Sequence, residues 1–118
     1  MPKRILVVDD SNLLRNCISR CLVDAGHEVV GKAKDGDEAV ELYRRLQPDA
    51  VTLDVTMRGK DGIAAAEEIL QLDPRAAIIF YTLLDFPNLL DRTSRIGVRN
   101  IIRKGDEAQL LKALDAIA

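Results

Sequence analysis

Ala50-Val51-Thr52-Leu53-Asp54 is a short apolar run that ends on an acid. Three other runs share that form. Ile5-Leu6-Val7-Val8 leads into Asp9-Asp10, Ile78-Ile79-Phe80-Tyr81 into Thr82, and Ile101-Ile102-Arg103 into Lys104. Near-continuous apolar runs of this length mark strands covered on both faces, as in parallel sheets. Strands of a parallel sheet all point the same way, so their ends meet on one edge. Asp9, Asp10, Asp54, Thr82 and Lys104 would then converge there. Three carboxylates, a hydroxyl and an ammonium suit a divalent metal and a phosphoryl group.

The segments between these runs read as helices. After a strand over 4–9, Ser11 is a good N-cap and Gly26 a good stop for the first helix. Its apolar positions Leu14, Cys17, Ile18, Cys21, Leu22 and Ala25 follow a 3.6-residue period. A strand over 28–33 precedes Asp35-Gly36-Asp37-Glu38, a variant capping box that opens a helix running to about Gln47, before Pro48. A strand over 50–54 leads through a loop, Val55 to Gly62, into a helix ending before Asp73-Pro74. A strand over 77–82 is followed by a helix from Phe86, with Asp85 as cap, to Ile96, with Gly97 closing it. A strand over 100–103 precedes a helix over 107–117 capped by Asp106. Five strand–helix pairs predict a doubly wound (βα)5 fold of the α/β class, one domain over residues 1–118. In such sheets ligands bind beyond the carboxyl ends of the strands, where the strand order reverses.

Composition narrows the function classes. The chain has 118 residues, 47% apolar and 31% charged, with a net charge of −2. That balance gives no basis for direct nucleic-acid or anionic-membrane binding. No apolar stretch approaches the roughly 18 residues that a membrane span needs. Met1-Pro2-Lys3-Arg4 runs straight into the first strand and does not read as a signal peptide, so a cytoplasmic location is expected. Cys17 and Cys21, four apart on one helix, read as two small buried side chains. His27 is the only histidine, so no Cys/His metal cluster forms around it.

Along its whole length the chain resembles the response-regulator receiver domains (CheY-like) of two-component signalling. The resemblance rests on Val7-Val8-Asp9-Asp10-Ser11, on Asp35-Gly36-Asp37-Glu38-Ala39-Val40, on Pro48-Asp49-Ala50-Val51-Thr52-Leu53-Asp54-Val55-Thr56-Met57, and on Asp61-Gly62. It implies the flavodoxin-like strand order 2-1-3-4-5. It also implies a phosphoacceptor, Asp54, that receives its phosphoryl group from a phospho-His kinase or a phosphotransfer protein. A carboxylate is a competent nucleophile for that transfer. Asp9 and Asp10 bring further like charges within a few ångström, a repulsion of several kcal/mol at an effective dielectric of about 20. A bound Mg2+, hard and oxygen-seeking, removes that repulsion. The resemblance assigns Asp10, Asp54 and the Thr56 backbone carbonyl as direct ligands and Asp9 as a ligand through water, with Mn2+ or Ca2+ as substitutes in vitro. Lys104 would pair with a phosphoryl oxygen as a point charge, and Thr82 would donate its hydroxyl to another. The implied output is a switch of the face formed by helix 4, strand 5 and helix 5. That face would meet an output protein, a fused output domain or a second copy. Such a domain assists its own Mg2+-dependent phosphorylation and dephosphorylation and is not a turnover enzyme.

Four positions depart from the family pattern. Met57-Arg58-Gly59 replaces Met-Pro-Gly, which frees the loop beside Asp54. Gly105 follows Lys104 where a cis proline is usual; a cis bond to glycine costs about 2.5–4 kcal/mol, so a trans bond is expected. Leu83 follows Thr82 where a small residue is usual, and its bulk narrows access to Asp54. Ile101 takes the place of the switch aromatic. Slow phosphoryl chemistry without an aromatic flip is therefore expected. Half of the stretch Leu83-Leu84-Asp85-Phe86-Pro87-Asn88-Leu89-Leu90 reads by default as core, and the rest is open to a partner or dimer patch on the face of helix 4, strand 5 and helix 5.

Other classes fit less well. A haloacid-dehalogenase-type phosphotransferase needs its nucleophile on the first strand and a second Asp two residues on, where Thr56 follows Asp54. A flavin module needs a hydroxyl- and Gly-rich loop after strand 1, and Ser11-Asn12-Leu13-Leu14-Arg15 is not one. A docking module that no longer uses phosphate is the remaining rival. The four departures favour it; the acidic trio, Thr82 and Lys104 oppose it.

Overall fold

A computed structural model describes residues 2–57, 59–83, 89–98 and 100–117. Ten elements alternate along it. They are β1 (Arg4–Val8), α1 (Asn12–Asp24), β2 (Glu28–Ala33), α2 (Gly36–Leu46) and β3 (Ala50–Leu53). Then come α3 (Gly62–Leu72), β4 (Ile78–Thr82), α4 (Leu89–Arg95), β5 (Asn100–Arg103) and α5 (Glu107–Asp115). All strands pair in parallel in the order β2-β1-β3-β4-β5. The architecture is the α/β fold expected from the sequence.

Period-2 alternation of the strands divides the core into two layers. Leu6, Val8, Val51, Leu53, Ile78 and Phe80 pack against α2 and α3, through Val40, Tyr43, Ile63 and Ile69. Ile5, Val7, Ala50, Ile79 and Tyr81 pack against α1 and α5, through Ile18, Leu22, Leu110 and Leu114. Strands β1, β3 and β4 are buried on both faces beyond Arg4. That explains their unbroken apolar runs.

The caps set where helices begin. Ser11 accepts from the Leu14 N–H at 3.2 Å and Asp35 from the Glu38 N–H at 2.8 Å. Glu38 reaches back to the Lys34 N–H at 3.1 Å, which completes a capping box one residue early. Asp106 caps α5 from the Gln109 N–H. The predicted α4 start at Phe86 and its cap Asp85 lie outside the described residues. Helix α5 ends at Asp115, two residues short of the expected end. Arg4 binds the carbonyls of Leu46 and Gln47, so a side chain at the sheet edge satisfies the end of α2.

Helix α1 corrects one expectation. Its buried residues are Ile18, Ser19 and Leu22, while Cys17 is exposed and Cys21 only half-buried. Ser19 joins the buried stripe by turning its hydroxyl onto the Arg15 carbonyl at 2.7 Å. Cys21 instead leans toward the start of α5. There burial, then a hydrogen bond with Glu107 and the charges of Glu107 and Asp24, push its thiol up to about 11.

Thr52 carries a local fault. Its Oγ1 is buried with no hydrogen-bond partner among the described residues. Thr52→Val keeps the shape and removes the unsatisfied hydroxyl. It should raise unfolding free energy by about 1 kcal/mol in urea denaturation. A loss of similar size would show that the hydroxyl has a partner.

Candidate functional site

The sheet order puts the ends of β1 and β3 side by side, with β4 and β5 following. Asp9 is the first residue past β1, Asp54 the first past β3 and Lys104 the first past β5; Thr82 is the last of β4. The Asp9 N–H donates to the Ala33 carbonyl at 3.1 Å and the Asp54 N–H to the Val8 carbonyl at 3.1 Å. Both acids are thus held by backbone that continues the sheet. The Lys104 N–H donates to the Thr82 carbonyl at 3.0 Å.

Their side chains meet. Lys104 Nζ lies 3.0 Å from Asp54 Oδ2 and 2.6 Å from Asp9 Oδ2. The contact with Asp54 is a hydrogen bond. The shorter contact with Asp9 pairs the same ammonium with a second buried carboxylate oxygen. Asp9 Oδ1 accepts from the Ser11 N–H at 2.9 Å, and Asp54 Oδ1 from the Thr56 N–H at 3.3 Å. Carboxylate oxygens of Asp9, Asp10 and Asp54 all lie within 4.8 Å of one another. Asp9 and Asp54 are buried, whereas Asp10 faces solvent. A shallow pocket of about 370 Å³ is lined by Asp9, Asp10, Asp54, Thr56, Thr82 and Lys104, with Leu14 and Leu83. A larger cavity of about 530 Å³ beside it shares only Asp10 and is lined otherwise by Ser11, Lys34 and Asp35.

Burial pushes the Asp54 carboxyl above the ordinary carboxylate range. Lys104 pulls it back, Asp9 pushes it further up and the Thr56 N–H lowers it, and burial prevails. Burial also works against the Lys104 charge, but its pairings with Asp9 and Asp54 outweigh that and hold its proton more tightly than usual. Among the described residues, two buried carboxylates share the one Lys104 ammonium.

The loop after Asp54 is anchored on both sides of Arg58, which itself lies outside the described residues. The Gly62 N–H donates to the Val55 carbonyl at 2.8 Å. A Cβ on Gly62 would stand 2.0 Å from the Asp54 carbonyl oxygen, so only glycine permits this approach. Lys60 pairs with Asp37 of α2 and Glu68 of α3. The Lys104–Gly105 bond is trans. Leu83, 61% exposed, stands on the pocket rim, and Leu90 of α4 is also exposed while Leu89 is buried.

All the predicted side chains and Thr56 line one pocket. The sequence reading missed two neighbours. Leu14 belongs by period to the apolar stripe of α1, yet at the first turn of the helix it reaches the pocket. Arg15 donates to the Asp9 carbonyl at 2.6 Å. Its position four residues after the cap Ser11 is the only sequence signal for that contact.

A doubly wound sheet with an acidic trio, a threonine and a lysine at its carboxyl edge defines a receiver-type domain. Comparison with known proteins agrees. The family model for the response regulator receiver domain matches residues 5–115, and the chain belongs to that family. It is 35% identical to the chemotaxis protein CheY of Thermotoga maritima over 100% of this chain and 99% of that protein. It is 36% identical to protein CcdB of Bacillus subtilis, covering 97% of this chain and 96% of that protein. A CheX–CheY–BeF3–Mg2+ complex from Borrelia burgdorferi contains a chain that superposes with a TM-score of 0.92. That chain is 30% identical, over 99% of this chain and 90% of that one. Among the described residues no helix is long and apolar enough to cross a membrane.

Proposed function

We propose that the domain is a phosphoacceptor whose Asp54 receives a phosphoryl group from a phosphohistidine of a kinase or phosphotransfer protein. The observation that carries this reading is the lining of one pocket by Asp54, Asp9, Asp10, Thr82 and Lys104. Asp54 attacks phosphorus through a carboxylate oxygen. A P–O bond forms, the P–N bond to the donor imidazole breaks, and the imidazole leaves with its electron pair. Lys104 moves from its two carboxylates to a phosphoryl oxygen, and the Thr82 hydroxyl donates to another. Receiver domains of this type are typically not turnover enzymes, and this one is read the same way.

The residues present fit a hard divalent cation. Among the described residues three carboxylates, with oxygens within 4.8 Å of one another, share the pocket with the Lys104 ammonium. Asp10, Asp54 and the Thr56 carbonyl would hold Mg2+ directly, and Asp9 through water. When bound, the ion offsets charge on the transferring phosphoryl group. The Mg2+ and BeF3 in the Borrelia complex support this reading. Intact mass after incubation with acetyl phosphate tests it. One added phosphoryl group that requires Mg2+ supports the proposal. No adduct, together with no Mg2+ binding, supports a docking module that does not use phosphate.

Leu83 sets the expected rate. The side chain lines the pocket that holds Asp54, and its bulk there would obstruct an incoming donor. Leu83→Ala is expected to speed phosphorylation by acetyl phosphate about three- to tenfold, equivalent to roughly 1 kcal/mol of barrier. An unchanged rate would mean that the rim does not limit access.

A further inference from the structure

The structure assigns Tyr81 as the residue that positions Lys104, through a hydrogen bond from the Gly105 N–H to the Tyr81 hydroxyl oxygen at 2.9 Å. This rests on the phosphoacceptor reading of the site. Tyr81 is the penultimate residue of β4 and is buried against α1 and α5. Its ring would fill that space equally well as phenylalanine, so the hydroxyl has a separate task. The task follows from the turn after β5. Lys104 and Gly105 form that turn, with Gly105 at φ +99° and the α5 cap Asp106 next. Two consecutive N–H groups of the turn are fastened to β4. The Lys104 N–H goes to the Thr82 carbonyl at 3.0 Å, and the Gly105 N–H to Tyr81.

The Lys104 stem has four rotatable carbons, and its ammonium must arrive within 3 Å of two buried oxygens. A fixed turn limits that search; a loose one spreads it. A proline after the lysine has no N–H to give, so only a residue such as Gly105 can make this contact. Tyr81 and Gly105 thus work as a pair. Gly105 itself is exposed, so without the hydroxyl its N–H turns to water and the turn loses one of its two ties to β4. The phenol itself stays neutral. Burial pushes its pKa up, the Gly105 contact lowers it, and Glu107, Cys21 and Asp106 add to the rise.

The test compares wild type, Tyr81→Phe, Lys104→Met and the double variant. Each is titrated calorimetrically with Mg2+ alone and with beryllofluoride in saturating Mg2+. Tyr81→Phe should weaken beryllofluoride binding about fivefold, the loss of one neutral hydrogen bond. Its Mg2+ affinity should hold or rise, because a loosened ammonium competes less for Asp9 and Asp54. In the Lys104→Met background the same change should have no further effect. Unchanged beryllofluoride affinity in Tyr81→Phe overturns the assignment, as does parallel loss of Mg2+ affinity or an equal loss when Lys104 is absent. If wild type binds neither probe, the phosphoacceptor reading fails instead. Acylation of Lys104 by acetic anhydride, followed by peptide mass, then decides the role of Tyr81 alone. Faster acylation in Tyr81→Phe supports positioning, and an equal rate overturns it.

Discussion

Asp54→Asn is expected to yield no phosphoryl adduct with acetyl phosphate at any Mg2+ concentration. The substitution is nearly isosteric. The amide oxygen can still accept from the Thr56 N–H, and Lys104 keeps its contact with Asp9. What is lost is the anionic oxygen that attacks phosphorus, since an amide is too weak a nucleophile to replace it. The expected effect is therefore complete loss, not slowing. An adduct on the variant would place the phosphoacceptor elsewhere. The fold should not suffer. Burial holds the Asp54 carboxyl above its ordinary range, so the unfolded chain releases that proton at lower pH than the folded one. Stability from this group is present below the unfolded value and is lost as pH rises through the folded one. A neutral Asn avoids that loss. The hydrogen bond from Lys104 to Oδ2 is lost in exchange, so in urea denaturation without Mg2+ at neutral pH Asp54→Asn should stay within about 1 kcal/mol of wild type. Complete inactivity in a domain that stays folded separates a chemical role from a structural one.

The parts legible in the sequence were those encoded locally. Apolar runs located the strands because β1, β3 and β4 are buried on both faces. Ser11, Asp35 and Asp106 located helix starts because a cap needs only its own backbone neighbourhood. The meeting of Asp9, Asp10, Asp54, Thr82 and Lys104 followed from strand direction, since parallel strands must end together, whereas Thr56, in the loop past β3, followed only from the family resemblance. Reach across the sheet was not legible. Lys104 crosses from β5 to both Asp54 and Asp9, and no periodicity encodes the direction of a long flexible stem. Cys17 followed the helical period and is nonetheless exposed. The period fixes which residues share a face but not how wide a strip the sheet covers. The partner of the Gly105 N–H was equally hidden, because Tyr81 read only as an apolar strand residue.

Lys104→Met should destabilise the metal-free domain by about 3 kcal/mol in urea denaturation. Methionine fills the space of the lysine stem and removes only the ammonium. Asp9 and Asp54 then remain as like charges, both buried, their oxygens within 4.8 Å. Removing one partner from a buried charge cluster costs more than the cluster contributes, because the charges left behind are neither solvated nor paired. A proton can relieve part of this. Asp54 already holds its proton above the ordinary range, and losing Lys104 moves it further that way. The deficit should therefore shrink as pH falls and widen as pH rises toward 8. Mg2+ should narrow it as well. In wild type the ion must displace the ammonium from Asp9 and Asp54, whereas in the variant those oxygens are unclaimed. Ligand binding to the folded state stabilises by about 2.7 kcal/mol at a hundredfold excess over Kd. A tighter Kd in the variant thus converts directly into a larger Mg2+ increment. Unfolding of both proteins in chelator and in millimolar Mg2+ measures it. Equal increments would show that ammonium and dication occupy separate ground, and the shared-carboxylate account of this pocket would fail. A larger increment in the variant would mean that Lys104 serves the resting domain as a built-in counter-cation, released to the phosphoryl group when Mg2+ takes its place.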